Sequence, residues 1–176
     1  MMIEVGHFVN GREWAGTSDR TSPIHDPSTG RQSGTLTLAS VPDVDAAVAA
    51  ARNAWPSWAA LPALRRARIL DRFKDLLRAR APELARAISA EHGKTHEDAL
   101  GEVTRGLEVV EFSVGIPHLL KGDFSDNVGQ GIDCWSLRQP IGVVAGITPF
   151  NFPAMVPLWM FPVALACGNA FVLKPS

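Results

Sequence analysis

The stretch of sequence at residues 140–176, PIGVVAGITPFNFPAMVPLWMFPVALACGNAFVLKPS, decides the fold. It contains no charged residue before Lys174. Its apolar pattern predicts a buried strand over residues 141–147, a loop, a helix over residues 153–167 and a second buried strand over residues 170–173. This order is a βαβ unit, whose parallel strands form a sheet covered on both faces. The stretch therefore predicts an α/β fold.

An uncharged run of this length is also compatible with a membrane-spanning helix. The polar Thr148 and Asn151 interrupt the run, as do four prolines: Pro149, Pro153, Pro157 and Pro162. A lipid-facing helix with these interruptions would leave backbone N–H and C=O groups without partners. The run is therefore interpreted as a βαβ unit, and no contact with a membrane is expected.

Four helices are predicted before this unit. Ser40 and Asp43 form a capping box at the start of the first helix. Pro82 opens the third helix, which ends at Gly93, and the fourth ends near Pro117. Apolar residues that recur every three or four positions are expected to face the core: Val44, Val48, Ala51, Trp55 and Trp58; Ile69, Leu70, Phe73, Leu76 and Leu77; Leu100, Val103, Leu107, Val110 and Val114.

Short strands are predicted on either side of these helices. Residues 7–9 and 35–38 are apolar pieces in a region rich in Gly, Ser, Thr and Pro. Asn10-Gly11 indicates a hairpin turn, because both residues tolerate positive φ angles. The pattern becomes extended again after residue 122, and apolar and polar residues alternate as in a strand over residues 132–138.

The composition is that of an ordinary globular protein. The 176 residues are 46% hydrophobic and 20% charged, with a formal net charge of −1 and a pI of about 6.5. A nucleic-acid-binding protein has a strongly basic surface, so no nucleic acid partner is expected. Residues 1–10 lack the basic and apolar regions of a signal peptide, which favours a cytoplasmic location.

The histidines and cysteines give little indication of a metal or redox site. His92 and His96 are four residues apart, which could place both imidazoles on one helix face, but Gly93 lies between them. Both are interpreted as solvated surface residues, and no metal is expected. Cys134 and Cys167 are too few for a disulfide framework and fit a reducing cytoplasm.

Two polar residues follow the predicted strands, at the edge where open parallel sheets bind ligands. Asn151 has two N–H donors and no net charge, so it could stabilise a developing oxyanion or cap the following helix. Lys174 could contact a nucleotide or could close a buried strand with its ammonium group in water. Spacing alone favours the structural alternative for both, and the first strand lacks the GxGxxG dinucleotide fingerprint.

Together these motifs resemble the aldehyde dehydrogenase family. The order is strand, Pro-aromatic-Asn-Phe-Pro, helix, Gly-Asn, strand and Lys-Pro-Ser, which spans residues 142–153 and 168–176. Most members have tryptophan where this chain has Phe150. The phenylalanine form, continued as AMVPLWMFP at residues 154–162, is similar to the methylmalonate-semialdehyde dehydrogenases.

Segments upstream carry the same resemblance. LRQPIG at residues 137–142 and GEVTRG at residues 101–106 fit the methylmalonate-semialdehyde group. HFVNG at residues 7–11 is similar to the usual opening of the family, so the resemblance covers essentially the whole chain.

The resemblance implies a role for several residues. Asn151 would be the side-chain donor of an oxyanion hole. Thr148, Pro149, Phe150 and Lys174 would line an NAD site, with Lys174 near the adenosine ribose.

A sixth residue, Arg105, would border the substrate tunnel. Its planar guanidinium would bind the carboxylate of a semialdehyde acid. Without the resemblance, Arg105 is equally compatible with a solvated arginine on a helix.

The resemblance also implies a domain arrangement. Residues 1–120 would form the N-terminal strands and the helical part of an NAD-binding domain. Residues 121–139 would form hairpin or oligomerisation strands, and residues 140–176 the first βαβ unit of the NAD-binding domain. The cysteine nucleophile and the glutamate base would lie beyond Ser176, in a catalytic domain absent from this chain. Cys134 and Cys167 are accordingly interpreted as structural.

The implied reaction is the NAD-dependent, CoA-acylating oxidation of malonate or methylmalonate semialdehyde. It would yield acetyl-CoA or propionyl-CoA and CO2, with coenzyme A as co-substrate, in a homo-oligomeric and tetrameric enzyme. This chain alone is expected to be inactive. The alternatives are another NAD(P)-dependent aldehyde dehydrogenase, such as a succinate-semialdehyde type, and a non-catalytic module that binds nucleotide or dehydrogenase subunits.

Overall fold

The computed structural model describes residues 2–176. Within these residues, nine strands and six helices form an α/β fold, as the sequence predicts. In chain order they are β1 (Ile3–Val5), β2 (His7–Val9), β3 (Arg12–Trp14), β4 (Thr21–His25), β5 (Gln32–Thr37), α1 (Val41–Ala59), α2 (Ala63–Ala79), α3 (Ala81–His92), α4 (His96–Val114), α5 (Ile116–Leu119), β6 (Phe124–Gly129), β7 (Ile132–Trp135), β8 (Val143–Ile147), α6 (Met155–Ala166) and β9 (Ala170–Lys174).

The predicted βαβ unit is present. Strands β8 and β9 pair in parallel, with Val143 opposite Ala170 and Ile147 opposite Lys174, and α6 connects them. Strand β8 begins at Val143 rather than at residue 141, because the N–H groups of residues 141 and 142 donate to the Asn169 side chain at 2.8 and 3.1 Å.

Both faces of this sheet are predicted to be covered, and the described residues cover them in part. Helices α1 and α6 pack on the two strands, yet Ile147 is 77% exposed and Leu173 is 38% exposed. Among the described residues, β8 and β9 pair only with each other, so both edges of the sheet and part of its surface stay open.

The predicted helix boundaries are largely confirmed, because local signals set them. Ser40 and Asp43 form the capping box at the start of α1. Pro82 lies in the first turn of α3, and Gly93 ends this helix with a φ of 86°. Helix α4 ends at Val114, three residues before Pro117, which lies in the first turn of the short α5. Helix α6 covers Met155–Ala166 rather than residues 153–167.

The predicted core faces are only partly correct. Several of the predicted apolar residues are at least one-third exposed: Val44, Val48, Ile69, Leu76 and Leu100. Helix α2 buries the predicted Leu70 together with Arg66 and Ala67, which were not predicted. The apolar residues of these helices extend over more of the surface than the neighbouring helices cover, so tertiary contacts select which of them are buried.

The N-terminal strands form two small sheets, in the orders β1-β5-β4 and β2-β3. Asn10 and Gly11 have φ angles of 54° and 76°, so the predicted hairpin turn joins β2 to β3. The predicted strand at residues 35–38 is the end of β5. The alternating segment at residues 132–138 contributes β7, which ends at Trp135 and pairs with β6 in a hairpin.

The Asp43 carboxylate ties the N-terminal segment to the start of α1. It accepts hydrogen bonds from the Ser40 N–H at 2.8 Å and from the Thr17 N–H and hydroxyl at 2.7 and 2.8 Å. These hydrogen bonds, led by that of the Ser40 backbone, hold the pKa of Asp43 well below its ordinary value although burial opposes the shift.

Replacing Asp43 by asparagine is therefore expected to lower the urea midpoint of unfolding at pH 7. A carboxylate with a lowered pKa in the folded state stabilises the fold above its unfolded pKa of about 4, and this stabilisation is lost as the pH falls further. The difference between the two proteins should thus narrow below about pH 4. Urea titrations from pH 7 to pH 3 measure it, with exposed Asp45→Asn as the control. Equal losses for Asp43→Asn and Asp45→Asn would contradict the role of Asp43.

Candidate functional site

Thr148 and Lys174 lie together at the carboxyl ends of β8 and β9. The Thr148 N–H donates to the Lys174 carbonyl at 3.1 Å, and Thr148 is buried. The Lys174 side chain is exposed, and its ammonium has no hydrogen-bond or ion-pair partner among residues 2–176. Pro149 and Phe150 follow on the exposed loop, where Phe150 is 78% exposed. Four of the residues predicted to bind a cofactor are thus adjacent at this sheet edge.

Asn151 lies in the loop between β8 and α6, and it does not cap the helix. The N-cap of α6 is Ala154, and no side chain of the capping residue accepts a hydrogen bond from the first turn. Asn151 is exposed, and its side chain forms no hydrogen bond within residues 2–176. The structural alternative for Asn151, which spacing alone favours, is therefore wrong, and its amide is free to contact a ligand.

A residue from another helix takes the capping position. Glu102 on α4 is completely buried, and its Oε1 accepts hydrogen bonds from the N–H groups of Ala154 and Met155 at 2.8 and 3.1 Å. The N-terminus of a helix carries a partial positive charge and N–H groups without intrahelical partners. The Glu102 carboxylate satisfies two of these groups at the start of α6.

Lys94 completes this contact from the loop between α3 and α4. Its Nζ donates to Glu102 Oε2 at 2.6 Å and to the carbonyl of Asn151 at 3.0 Å. The same ammonium lies 4.6 Å from the centre of the Phe152 ring. One buried carboxylate and one lysine therefore contact both the backbone of Asn151 and the first turn of α6.

The environment of Glu102 favours its ionised form. Burial alone would raise the pKa of this carboxyl, but the Lys94 ammonium and the backbone N–H groups of Ala154 and Met155 outweigh it. The net result is a Glu102 pKa below the ordinary value. The Glu102 carboxylate and the Lys94 ammonium form a salt bridge, with 2.6 Å between Oε2 and Nζ.

Arg105 lies on the exposed side of α4, beside the same loop. Its guanidinium is 5.8 Å from the centre of the Phe152 ring, and its Nε contacts the Met155 sulfur at 3.4 Å. A shallow cleft of about 360 Å³ is lined by Lys94, Glu97, Asp98, Gly101, Arg105 and Phe152. The structure thus brings Arg105 next to the Asn151 loop, with its guanidinium unpaired by any carboxylate among the described residues.

Sequence reasoning missed Glu102 and Lys94, although one signal was available. Glu102 lies among Ala99, Val103 and Gly106, which form the buried face of α4 at helical spacing. A carboxylate on a buried helix face is rare and requires a partner. The pattern does not identify that partner, because the residues that contact Glu102 on α6 lie more than 50 positions away in the sequence.

His92 and His96 do not share a helix face. His92 is at the end of α3 and His96 opens α4, because Gly93 terminates the first of these helices. The prediction of two solvated histidines holds for His96 and is wrong for His92, whose Nδ1 is buried without a hydrogen-bond partner in the described part of the chain. No cluster of three or more His, Cys, Asp or Glu side chains with the geometry of a metal site occurs in residues 2–176.

The two cysteines lie in different parts of the fold. Cys134 is exposed on β7 of the hairpin, and Cys167 is half-buried at the C-terminal end of α6. Burial raises the pKa of the Cys167 thiol, although the nearby Arg66 opposes this shift.

A membrane-spanning helix requires a longer apolar segment than any helix of residues 2–176 provides.

The fold and the motifs at this sheet edge define the class of protein. The chain belongs to the aldehyde dehydrogenase family, whose sequence model matches residues 14–176. This match confirms the family resemblance of the strand-loop-helix motif.

Relatives within the family narrow the similarity. The chain is 52% identical over 170 residues to the malonate-semialdehyde dehydrogenase of Pseudomonas aeruginosa, which covers 97% of this chain and 34% of the relative. It is 51% identical to malonate-semialdehyde dehydrogenase 2 of Geobacillus thermodenitrificans, with 97% of this chain and 35% of the relative covered. The chain therefore spans about a third of the length of the curated relatives that it matches.

Solved structures give the same result. A methylmalonate-semialdehyde dehydrogenase from Oceanimonas doudoroffii superposes with a TM-score of 0.96 at 54% identity, covering 99% of this chain and 36% of that one. A Sinorhizobium meliloti protein complexed with NAD, provisionally assigned to the same activity, gives a TM-score of 0.97 at 56% identity over 100% of this chain and 36% of that one. The predicted similarity to the methylmalonate-semialdehyde group is confirmed.

Proposed function

We propose that this chain is part of an NAD-dependent, CoA-acylating dehydrogenase of malonate or methylmalonate semialdehyde. The main support is the exposed Asn151 amide in the Pro-Phe-Asn-Phe-Pro loop. This amide does not cap α6 and is therefore free to bind a ligand. The products would be acetyl-CoA or propionyl-CoA and CO2. The similarity to malonate- and methylmalonate-semialdehyde dehydrogenases supports the substrate class.

Asn151 would donate hydrogen bonds to the oxygen of the aldehyde. That oxygen gains negative charge when a nucleophile adds to the carbonyl carbon, and a neutral amide stabilises the charge without trapping it. We assign the nucleophile and the base to the two thirds of the relatives' length that this chain does not match. Asn151 would thus be the catalytic residue that this chain contributes.

The sheet edge would hold the adenosine part of NAD. Lys174 presents an unpaired ammonium at the carboxyl end of β9, where it would contact the ribose, and Thr148, Pro149 and Phe150 would line the adjoining wall. Ligands of open parallel sheets bind at this edge. When bound, NAD would accept the hydride of the substrate.

Arg105 would bind the carboxylate of the semialdehyde acid. Its guanidinium borders a cleft beside the Asn151 loop, and no carboxylate of residues 2–176 pairs with it. A planar guanidinium binds a carboxylate with two parallel hydrogen bonds. The acidic Glu97 and Asp98 line the same cleft. They would repel the substrate carboxylate from their side and so restrict it to the side of Arg105.

Activity is tested in a chimeric enzyme, in which residues 1–176 replace the matching segment of the Pseudomonas aeruginosa malonate-semialdehyde dehydrogenase. It is expected to convert malonate semialdehyde to acetyl-CoA with NAD and coenzyme A, as measured by NADH absorbance and by product analysis. Conversion of succinate semialdehyde without coenzyme A, at equal or greater efficiency, would favour the alternative of a different aldehyde dehydrogenase.

Replacing Arg105 by leucine in the chimeric enzyme is expected to raise KM for malonate semialdehyde by about 10-fold or more, because a charge-assisted pair contributes about 1.5–3 kcal/mol. KM for propanal should change little, because propanal has no carboxylate. Initial rates with both substrates measure the effect. Thr104→Val on the same exposed face of α4 is the control, and equal losses with both substrates would remove Arg105 from the substrate site.

The 176-residue chain alone is expected to oxidise no aldehyde. Cys134 lies on the exposed hairpin strand β7, and burial raises the pKa of the Cys167 thiol, which disfavours the nucleophilic thiolate. Assays of NADH formation by the chain, by Cys134→Ala and by Cys167→Ala measure this. Turnover that either substitution abolishes would contradict the structural role of these cysteines.

Turnover of the isolated chain does not test the non-catalytic alternative, because the chain alone is expected to be inactive in either case. Binding tests it instead. A nucleotide-binding module would bind NAD as the isolated chain, and calorimetric titration of the chain with NAD measures this.

We expect the whole enzyme to be a cytoplasmic homo-oligomer, a tetramer, as the family resemblance implies. Sedimentation of the chimeric enzyme tests the oligomeric state.

A further inference from the structure

We propose that Glu102 and Lys94 are positioning residues, which hold the Asn151 loop in its reactive position through one buried ion pair. This inference deepens the proposed function, since it rests on the catalytic role proposed for Asn151. Glu102 is fully buried, and Lys94, which lines the cleft beside Arg105, would not contact the reacting aldehyde group. Both would act through the backbone that carries Asn151.

The first half of the argument is the position of Glu102. Its carboxylate is fully buried and accepts two backbone N–H groups at the start of α6, through Oε1. Its second oxygen, Oε2, remains for Lys94. A buried carboxylate with three hydrogen bonds has few alternative positions, because losing any one of them would leave a buried charge without compensation.

The second half is the contact that Lys94 makes with Asn151. Lys94 Nζ is 3.0 Å from the Asn151 carbonyl, and 11% of its side chain is exposed. Next to this contact, the Val156 N–H donates to the Phe152 carbonyl in a long hydrogen bond of 3.4 Å. The backbone carbonyl of the proposed catalytic residue is therefore fixed to the helical layer through Lys94.

The Phe152 ring provides a further contact between the loop and the two cations. Both the Lys94 ammonium and the Arg105 guanidinium lie over this ring, at 4.6 and 5.8 Å from its centre. Cations over an aromatic face are attracted to it. The loop is thus held at Asn151, at Phe152 and at the first turn of α6 by residues of α4 and of the α3–α4 connection.

The test uses Glu102→Gln and Lys94→Met in the chimeric enzyme with propanal as substrate. Propanal lacks a carboxylate, so the result does not depend on the assigned semialdehyde acid. Each substitution should lower kcat by about 10- to 100-fold, the range expected when a reacting group is displaced by about 1 Å. KM for NAD should stay within about twofold, since neither residue contacts the cofactor edge. The double variant should lose about as much as either single one.

The Asn151→Ala background separates positioning from a general structural role. If the pair acts through Asn151, Glu102→Gln should lower kcat less than about twofold further once the Asn151 amide is gone. A loss of the same factor in both backgrounds would overturn the proposal. Glu111→Gln is the matched control, because Glu111 lies on the same helix in an exposed ion pair with Arg78.

Hydrogen exchange gives a readout that does not require activity. Glu102→Ala removes the acceptor of the Ala154 and Met155 N–H groups, whose exchange should become at least about 10-fold faster. Lys94→Met, which leaves these acceptors in place, covers the case in which Glu102→Ala does not fold. It should accelerate exchange of the Val156 N–H, which donates to the Phe152 carbonyl next to Asn151. Unchanged exchange in Lys94→Met would overturn the proposal, whereas changed exchange in an enzyme that does not oxidise malonate semialdehyde would refute only the proposed substrate.

Discussion

Asn151→Ala in the chimeric enzyme is expected to lower kcat by about 10²–10³-fold, the usual loss for one oxyanion-hole donor. The interaction forms mainly in the transition state, so the affinity for NAD should remain nearly unchanged. Stopped-flow and steady-state rates with malonate semialdehyde, together with NAD titrations, measure both quantities. The unfolding midpoint should also stay close to that of the parent, because the Asn151 side chain forms no hydrogen bond within residues 2–176.

Asn151→Asp sharpens this experiment. An aspartate beside a developing oxyanion repels it, so turnover should fall at least as far as in Asn151→Ala. Aspartate has nearly the same volume and would serve equally well as a helix cap. Asp126→Asn, on exposed β6, is the control for a change of one charge. A stable and nearly fully active Asn151→Asp enzyme would refute the oxyanion-hole role.

Arg66→Met is expected to reduce the free energy of unfolding by roughly 3 kcal/mol, because it removes charge-assisted hydrogen bonds to three buried or half-buried carbonyl groups. Arg66 is 6% exposed and has no acidic partner among the described residues. Its Nε donates to the carbonyl of Ala166 at 3.1 Å, and its Nη1 donates to the carbonyls of Ala59 and Leu61.

These acceptors explain how a buried guanidinium is stable without a carboxylate. Ala59 and Ala166 are the last residues of α1 and α6. The C-terminal end of a helix carries a partial negative charge and carbonyl groups without intrahelical partners. Arg66 therefore joins two helix ends beside the turn that leads into β9. Removing it leaves the buried Ala166 carbonyl and the half-buried Ala59 and Leu61 carbonyls without this donor.

Urea unfolding, followed by tryptophan fluorescence, measures the effect, since the Trp55 and Trp58 indoles donate to carbonyls next to this turn. Arg65→Met is the matched control, because Arg65 is exposed and its loss should cost less than about 0.5 kcal/mol. Arg66→Lys should lie between the two, since lysine keeps the charge but not the planar fork. A midpoint for Arg66→Met equal to that of Arg65→Met would contradict the role of Arg66.

The sequence by itself determined the features that depend on neighbouring residues. The βαβ unit follows from a long uncharged run with a proline-rich loop, and the Asn10-Gly11 turn follows from two residues that tolerate positive φ. The start of α1 and the end of α3 follow from a capping box and from Gly93. Each of these signals operates over a few residues, so periodicity and turn chemistry were sufficient to read it.

The motif around Asn151 also pointed to the family and to the sheet edge. It did not decide between a helix cap and a free amide, because asparagine suits both and the spacing is the same. The tertiary structure decided it. Glu102, which is 52 and 53 positions away from the N–H groups that it accepts, occupies the capping role and leaves the Asn151 side chain free.

Only the tertiary structure determined which helix faces are buried and which polar residues join them. Arg66 meets the end of α6 across 100 positions, and Lys94 meets Asn151 across 57. Val44 and Leu76 stay exposed although they follow the same periodicity as buried residues. Periodicity shows that a helix has an apolar side, but the burial of each residue depends on the position and angle of its neighbours. The positions and angles of neighbouring helices are set by contacts between segments that are distant in the sequence. The pattern within one helix does not contain this information.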